Sequence, residues 1–380
     1  MPHLVALDLP AGPGLVDAVA RCWDAGDAVA IVDRHAPDEA RRRWLDAVRP
    51  HRIATADEPT GRPFATDAAP LEAGDALVVT TSGSTGEPAV LVHTRAGLTA
   101  HAAASHLRLG VDPDRDRWLA CLPLTHLGGF GVVARSLLTA TPLDVLDGFD
   151  VARVAAAPGD LGTTLVSLVP RALDQVDPTA FRRVLVGGSA DPRARPANVV
   201  RTYGSTETGG GVVYDGRPLD GVEVGVEPDG TIAVRAPTLA RGRRRPDGSV
   251  APITDGDGWF ATGDRGHWDG ERLEVLGRAD DLIVTGGENV WPGPVEAILA
   301  TDPRVAAVAV VGEPDPDWGQ RVVALVVPSD PAAPPALEDL RELVRDRLGA
   351  PAAPRELRLV AALERTALGK VRRPAAPEPR

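Results

Sequence analysis

The sequence predicts an α/β protein: a large layered α/β N-terminal domain carrying a small β-rich subdomain, followed by a small α+β C-terminal domain. Three observations predict it. At 380 residues the chain exceeds the size at which one hydrophobic core usually stops growing, so two or more domains are expected. Short apolar runs at 28–32, 77–79, 164–169 and 183–186 alternate with segments of helical spacing, and several open into glycine- or hydroxyl-rich stretches, as buried strands joined by helices do. Between 221 and 278 the helical spacing gives way to short strand-like runs separated by Asp-Gly turns, which suits a small sheet or barrel. The N-terminal domain is expected to span 1–279, with the β-rich subdomain at about 212–279, and the C-terminal domain 280–380.

Taken in order, residues 15–23 and 37–48 carry apolar side chains at helical spacing around the run 28–32, and 55–69 is a polar, proline-interrupted surface loop. Leu77-Val78-Val79 then feeds Thr80-Thr81-Ser82-Gly83-Ser84-Thr85-Gly86-Glu87-Pro88. Its two glycines let the backbone turn tightly with N–H groups inward and its hydroxyls add donors, so the loop can cradle an anion such as a nucleotide triphosphate. No Gly-Lys-Ser/Thr follows, so it is not a Walker loop. A helix is expected at 96–109, bearing His101 and His106, and a strand at 117–124. That strand ends in a loop, Thr125-His126-Leu127-Gly128-Gly129-Phe130-Gly131, where a histidine stands beside three glycines and backbone can approach a ligand. Arg135 follows one or two turns into the next helix.

Strands at 164–169 and 183–186, the second opening into Gly187-Gly188, precede Tyr203-Gly204-Ser205-Thr206-Glu207. In parallel sheets ligands collect at such strand ends. Glu207 is either a solvated turn residue or the oxygen ligand that Mg²⁺ shared with phosphates requires. Arg241-Gly242-Arg243-Arg244-Arg245, beside Pro246-Asp247-Gly248, reads as a solvated turn. Strand-like runs at 222–226, 231–236 and 273–276 flank Thr262-Gly263-Asp264, in which an Asp after Gly at a turn can bond ribose hydroxyls. Residues 276–290 fit neither helix nor strand throughout and mark a domain boundary. A helix at 294–300, strands at 305–311 and 321–327, a Pro/Ala linker at 331–335 and a charged amphipathic helix at 337–348 complete the C-terminal domain.

Composition excludes other classes. A net charge of −12 repels polyanions, so nucleic acid is not an expected partner. No apolar run approaches the ~18 residues of a membrane span and the N-terminus carries no basic region leading into an apolar core, so no membrane contact and a cytoplasmic location are expected. Cys22 and Cys121 lack metal-like spacing and read as core residues. Of 41 basic residues only Lys370 is a lysine. Arginine cannot replace lysine where a compact point charge on a flexible stem must enter a tight site, because guanidinium is planar and bonds as a fork.

These residues resemble the adenylate-forming superfamily of acyl-CoA synthetases, adenylation domains and luciferases, over residues 77–373. Thr81-Ser82-Gly83-Ser84-Thr85-Gly86 matches the phosphate loop, Tyr203-Gly204-Ser205-Thr206-Glu207 the adenine and Mg²⁺ motif, Thr262-Gly263-Asp264 the ribose motif, Gly277-Arg278-Ala279-Asp280-Asp281 the hinge, and Gly369-Lys370 the C-terminal catalytic lysine. Any one is a weak signal; their common order is a strong one. Leu122-Pro123-Leu124-Thr125-His126-Leu127-Gly128-Gly129 followed by Arg135 is similar to o-succinylbenzoate–CoA ligases of menaquinone biosynthesis, whose histidine and arginine belong to the acyl pocket. One departure stands out: the family's phosphate loop usually continues Pro-Lys-Gly, and here it reads Pro88-Ala89-Val90.

The resemblance implies an acid–thiol ligase that uses ATP, Mg²⁺ and CoA with a small-molecule carboxylic acid, a homodimer as its assembly, and a mobile C-terminal domain. It assigns Lys370, Glu207 and His126 to catalysis, with Glu207 on Mg²⁺. Thr81, Ser82, Gly83, Ser84, Thr85, Gly86, Gly188, Tyr203, Gly204, Thr206, Asp264 and Arg278 fall to the nucleotide, and His126, Gly128, Arg135 and Gly187 to the acid. Asp280 is the implied hinge; Gly286 and Gly287 form the implied CoA face. The same motifs also serve ligases of other aryl or fatty acids, enzymes that load carrier proteins, and nucleotide-binding chains that have lost catalysis.

Overall fold

The structure is a computed structural model that describes residues 2–64, 68–81, 89–188 and 194–364. The expectations at Ser82, Gly83, Ser84, Thr85, Gly86 and Lys370 lie outside the described residues. The chain separates into two compact units, one of Met1–Gly188, Pro196–Val224 and Val234–Phe260, the other of Ser189–Arg195, Gly225–Ala233 and Ala261–Arg380. No described helix is long and apolar enough to cross a membrane.

The first unit holds two sheets. One has eight strands in the order β17 (Val250–Ala251), β16 (Gly242–Arg244), β6 (Ala89–Thr94), β5 (Asp75–Thr81), β2 (Ala28–Ile31), β1 (Leu4–Asp8), β3 (Arg52–Thr55) and β4 (Arg62–Pro63). Its parallel centre, β3–β1–β2–β5, buries Leu4, Ala28, Ala30 and Val78 with Val48 of helix α2 (Asp38–Val48), and α1 (Pro13–Asp24) supplies Leu15 and Val19. β5 and β6 are antiparallel and paired from Asp75↔Thr94 to Thr81↔Ala89, so the phosphate loop leaves the sheet at Thr81 and returns at Ala89.

The other sheet has seven strands: β13 (Arg217–Pro218), β12 (Gly210–Tyr214), β11 (Val199–Ser205), β10 (Arg183–Val186), β9 (Leu165–Leu168), β7 (Trp118–Ala120) and β8 (Leu143–Val145). Strands β11 to β8 are parallel, and β12 and β13 turn back antiparallel. Its core joins Leu119, Val166, Leu168, Phe181 and Val184 to α5 (Val151–Asp160) and the short α6 (Pro170–Leu173). Helices α3 (Arg95–Leu109) and α4 (Leu127–Thr139) pack on each other; α3 starts where Thr94 Oγ1 accepts from the Gly97 N–H at 3.0 Å and stops at left-handed Gly110.

Two expectations are corrected here. Residues 241–245 are not a solvated turn: β16 adds to the eight-stranded sheet with Gly242↔Val92 and Arg244↔Val90. Its charge did not prevent this because Arg241 is neutralised by Asp75 at 2.8 Å and Glu72 at 2.6 Å, while buried Arg244 donates to the Val48 carbonyl at 2.8 Å. Residues 127–131 are not a loop either, since α4 begins at Leu127. Of the two cysteines, Cys121 is buried as expected and Cys22 only half-buried.

A four-stranded sheet runs β14 (Glu223–Val226), β15 (Thr231–Arg235), β18 (Phe260–Asp269) and β19 (Arg272–Arg278), the small sheet expected in this stretch. In the second unit a five-stranded sheet, β21 (Glu288–Val290), β20 (Ile283–Thr285), β23 (Gly319–Pro328) and β22 (Val305–Asp315) with β24 (Glu356–Leu359) parallel to β23, carries α7 (Pro292–Leu299) and α8 (Leu337–Leu348). Val295, Leu299, Val310, Val322, Leu340 and Val344 form the core between sheet and helices.

Candidate functional site

The nucleotide motif is built from two antiparallel strands drawn unusually close. Tyr203 and Gly204 lie in β11, with Gly204 opposite Gly211, and a Cβ at Gly204 would overlap the Gly210 carbonyl oxygen, so only glycine fits. The turn beyond holds Thr206 and Glu207. Buried Thr208 ties it together: its hydroxyl accepts from the Ser205 N–H at 2.7 Å and lies 2.7 Å from the Gly210 carbonyl oxygen. Two histidines from the β6–α3 segment brace it further. His101 Nε2 donates to the Gly211 carbonyl at 2.9 Å, and the ring of fully buried His93 lies beside the backbone of Thr206. Burial pushes both imidazoles down to about 4, so both are neutral. Gly187 and Gly188 follow β10 beside this hairpin, with Gly187 against the Thr202 side chain.

Among the described residues half-buried Glu207 meets one cation, Arg243 on β16, at 3.8 Å. That loose contact leaves its carboxylate available to a harder partner. No group of three or more His, Cys, Asp or Glu side chains among the described residues could hold a metal by itself. Mg²⁺ needs no such cage when phosphates supply most of its oxygens, so a single accessible carboxylate fits that ion.

The segment with His126 and Arg135 is built differently. His126 is the residue before α4, half-buried, and burial lowers its pKa with Asp33 opposing. Gly128 is exposed on the first turn. Gly129 is buried, and a Cβ there would overlap the Leu122 and Pro123 carbonyls; this close approach is why a glycine-rich text forms a helix here. Two turns on, Arg135 is only 6% exposed. One guanidinium nitrogen donates to Ser167 Oγ at 3.2 Å, the group stacks on Trp118 at 4.7 Å, and buried Nε has no partner. No carboxylate pairs with it among the described residues. Burial lowers its pKa, and its charge helps burial hold His101 and His106 at about 4. His106 Nε2 accordingly accepts from Trp118 Nε1 at 3.1 Å.

In the second unit Asp264 stands opposite Arg278 across β18 and β19, 3.7 Å from its Nε. Asp280 is exposed in the 3₁₀ turn Ala279–Asp281. Gly286 and Gly287 turn β20 into β21 with φ of 59° and 84°, and Gly286 lies against the Trp318 ring, which Arg355 covers from 3.8 Å. The sequence pattern did not single out His93 or Ser167, and it gave Arg243 only as part of an arginine cluster and Gly129 only as part of a glycine-rich stretch.

The family model of the AMP-binding enzymes matches residues 17–242, and that of the AMP-binding enzyme C-terminal domain matches 294–370. The chain belongs to the AMP-binding enzymes. This AMP-binding enzyme is 45% identical over 323 residues, covering 79% of its own chain and 83% of the other, to a Mycobacterium tuberculosis protein named probable 2-succinylbenzoate–CoA ligase. It superimposes on the Bacillus subtilis o-succinylbenzoate CoA synthetase solved with the acyl-adenylate intermediate at a TM-score of 0.81 and 26% identity, covering 97% and 87% of the two chains. That synthetase has also been solved with ATP and magnesium ion. The amide bond synthetase McbA from Marinactinospora thermotolerans superimposes at a TM-score of 0.83 and 26% identity, covering 97% and 88%.

Proposed function

We propose that this AMP-binding enzyme is an ATP-dependent acid–CoA ligase acting through an acyl-adenylate, with 2-succinylbenzoate as the acid. The observation that carries the acid is Arg135. A guanidinium this buried is costly without a counter-ion, and none stands beside it among the described residues, so a substrate carboxylate is its natural partner. Succinylbenzoate has two carboxylates, one to activate and one to be held. The names of the Mycobacterium and Bacillus relatives support the same acid.

In the first step a carboxylate oxygen of the acid attacks the α-phosphorus of ATP, the bond to the bridging oxygen breaks, and its electron pair leaves with pyrophosphate. In the second the CoA sulfur, having lost its proton, attacks the acyl carbonyl and AMP departs with the acyl–oxygen bond pair. Arg135, with His126 and Gly128 at the start of α4, holds the acid, and Gly187 closes that side. The Thr81 end of the phosphate loop, Gly188, Tyr203, Gly204 and Thr206 bind ATP, and Asp264 and Arg278 its ribose. Glu207 would hold Mg²⁺, which would supply charge that offsets the departing pyrophosphate. Lys370 bridges carboxylate and phosphate as a compact charge. Residues 1–279 and 280–380 are the moving parts, with Asp280 as the hinge and Gly286 and Gly287 meeting CoA in the second step. The reaction belongs in the cytoplasm, where ATP and CoA are supplied.

A panel of carboxylic acids offered with ATP, Mg²⁺ and CoA, read by mass spectrometry for AMP and thioester, tests this. Thioester from 2-succinylbenzoate well above other acids supports it. AMP with no thioester, but an amide when an amine replaces CoA, would place the enzyme with the amide synthetase instead.

A further inference from the structure

The phosphate loop carries no cation of its own: between Thr81 and Val90 the sequence has neither lysine nor arginine, and the chain's one lysine is at 370. ATP nonetheless carries its densest charge on the two outer phosphates, which leave together. The strand β16, unforeseen from sequence, brings an arginine to this place. Arg243 pairs with Leu91 and Thr81 with Ala89, so Arg243, Leu91, Ala89 and Thr81 share one face of the sheet, the last two at the neck of the loop. Arg243 and Ala89 are diagonal neighbours, about 7–8 Å apart, within reach of a long side chain. The arginine is also loosely held: its side chain is 56% exposed and its one ion pair among the described residues is the 3.8 Å contact to Glu207. Its neighbours Arg241 and Arg244 are anchored to Asp75 and to the Val48 carbonyl and cannot substitute for it.

We infer that Arg243 is the cation for the outer phosphates of ATP, serving from β16 the charge that a lysine at Ala89 would otherwise provide. This rests on the ATP reading above and deepens it. Glu207 would hold the guanidinium on the Ala89 face of the sheet until Mg²⁺ took the carboxylate, and the freed fork would then bond phosphate oxygens.

Calorimetric titration of the full chain with ATP and, separately, with AMP tests the assignment without relying on turnover. Arg243→Ala should weaken ATP binding by at least about tenfold, the loss expected for a charge-assisted contact, while AMP, which lacks the outer phosphates, binds within about twofold of the wild type. Arg243→Lys should recover part of the loss, and Arg243→Ala with Ala89→Lys most of it, because a point charge at the neck reaches the same phosphates. Unchanged or tighter ATP binding in Arg243→Ala would overturn the inference and leave Arg243 as a competitor of Mg²⁺ for Glu207. Equal weakening of ATP and AMP would overturn it too, as damage to the fold around β16. A wild-type chain that binds neither nucleotide would remove the ATP reading itself.

Discussion

At the proposed acyl end the fold offers an anion a guanidinium that is 6% exposed, held by Ser167 and stacked on Trp118, on a helix whose first turn admits only glycine at position 129. At the proposed nucleotide end it offers one whose side chain is 56% exposed and, among the described residues, held at 3.8 Å by a single carboxylate. A buried charge is little screened by solvent and cannot reorient, so it selects one geometry of ligand; an exposed one is screened and mobile. That suits the two tasks. The acid must be told from other acids, whereas pyrophosphate must be gripped and then released.

The comparison can be broken at several points. The largest effect is expected at Lys370, where the first step needs a compact charge. Lys370→Ala should lower adenylate formation about 10²- to 10³-fold, by analogy with other preorganised charges. Thioester formation from supplied acyl-adenylate and CoA should persist. Because the chain has no other lysine, amine-directed acylation should inactivate it in step with one side-chain modification, with ATP and acid protecting. Full activity after complete labelling would reject the role.

The next effect concerns the buried imidazoles that lie behind both ends. His93, His101 and His106 are held at about 4 against an ordinary 6.5, so between those values the unfolded chain binds more protons than the folded one. Stability should therefore fall as pH drops from about 6.5 towards 4, by on the order of 1 kcal/mol per pH unit for each fully buried imidazole. Thermal unfolding across that range reads it. A flat melting temperature from pH 6.5 to 5 would mean that the imidazoles are not buried as described. The smallest effect is expected at the exposed end: Glu207→Gln should raise the Mg²⁺ needed for half-maximal rate by several-fold, since phosphates supply the other ligands. Undiminished activity at unchanged Mg²⁺ demand would take the metal away from Glu207.

How much of this was legible in the sequence follows the same division. Helix α8 at 337–348 and strand β10 at 183–186 were read to the residue, because periodicity and apolar runs report burial directly. The residues proposed for the nucleotide and the acid stand out in the sequence as motifs. Strand β16 was not: four arginines in five residues read as solvent-facing, and only the partners Asp75, Glu72 and Val48, far away in sequence, make them a strand. The helical start of α4 was hidden for the opposite reason, since Gly128, Gly129 and Gly131 are poor helix formers and the carbonyls of Leu122 and Pro123 that demand Gly129 cannot be seen locally. Strand β8 and helix α5 were passed over altogether, the latter containing Pro158 and starting on the Asp150 side chain.

The central claim is that Arg135 reads the second carboxylate of the acid, and the most direct measurement compares two acids in two enzymes. Steady-state kinetics would be run with 2-succinylbenzoate and with the analogue lacking the ring carboxylate, for the wild type and for Arg135→Leu. The account predicts that the wild type prefers the dicarboxylate in kcat/KM by about ten- to a hundredfold, the equivalent of ~1.5–3 kcal/mol for a charge-assisted bond. Arg135→Leu should lose that preference while its KM for ATP stays within about twofold, since uniform damage would move both. A variant that still prefers the dicarboxylate as strongly as the wild type would contradict the claim.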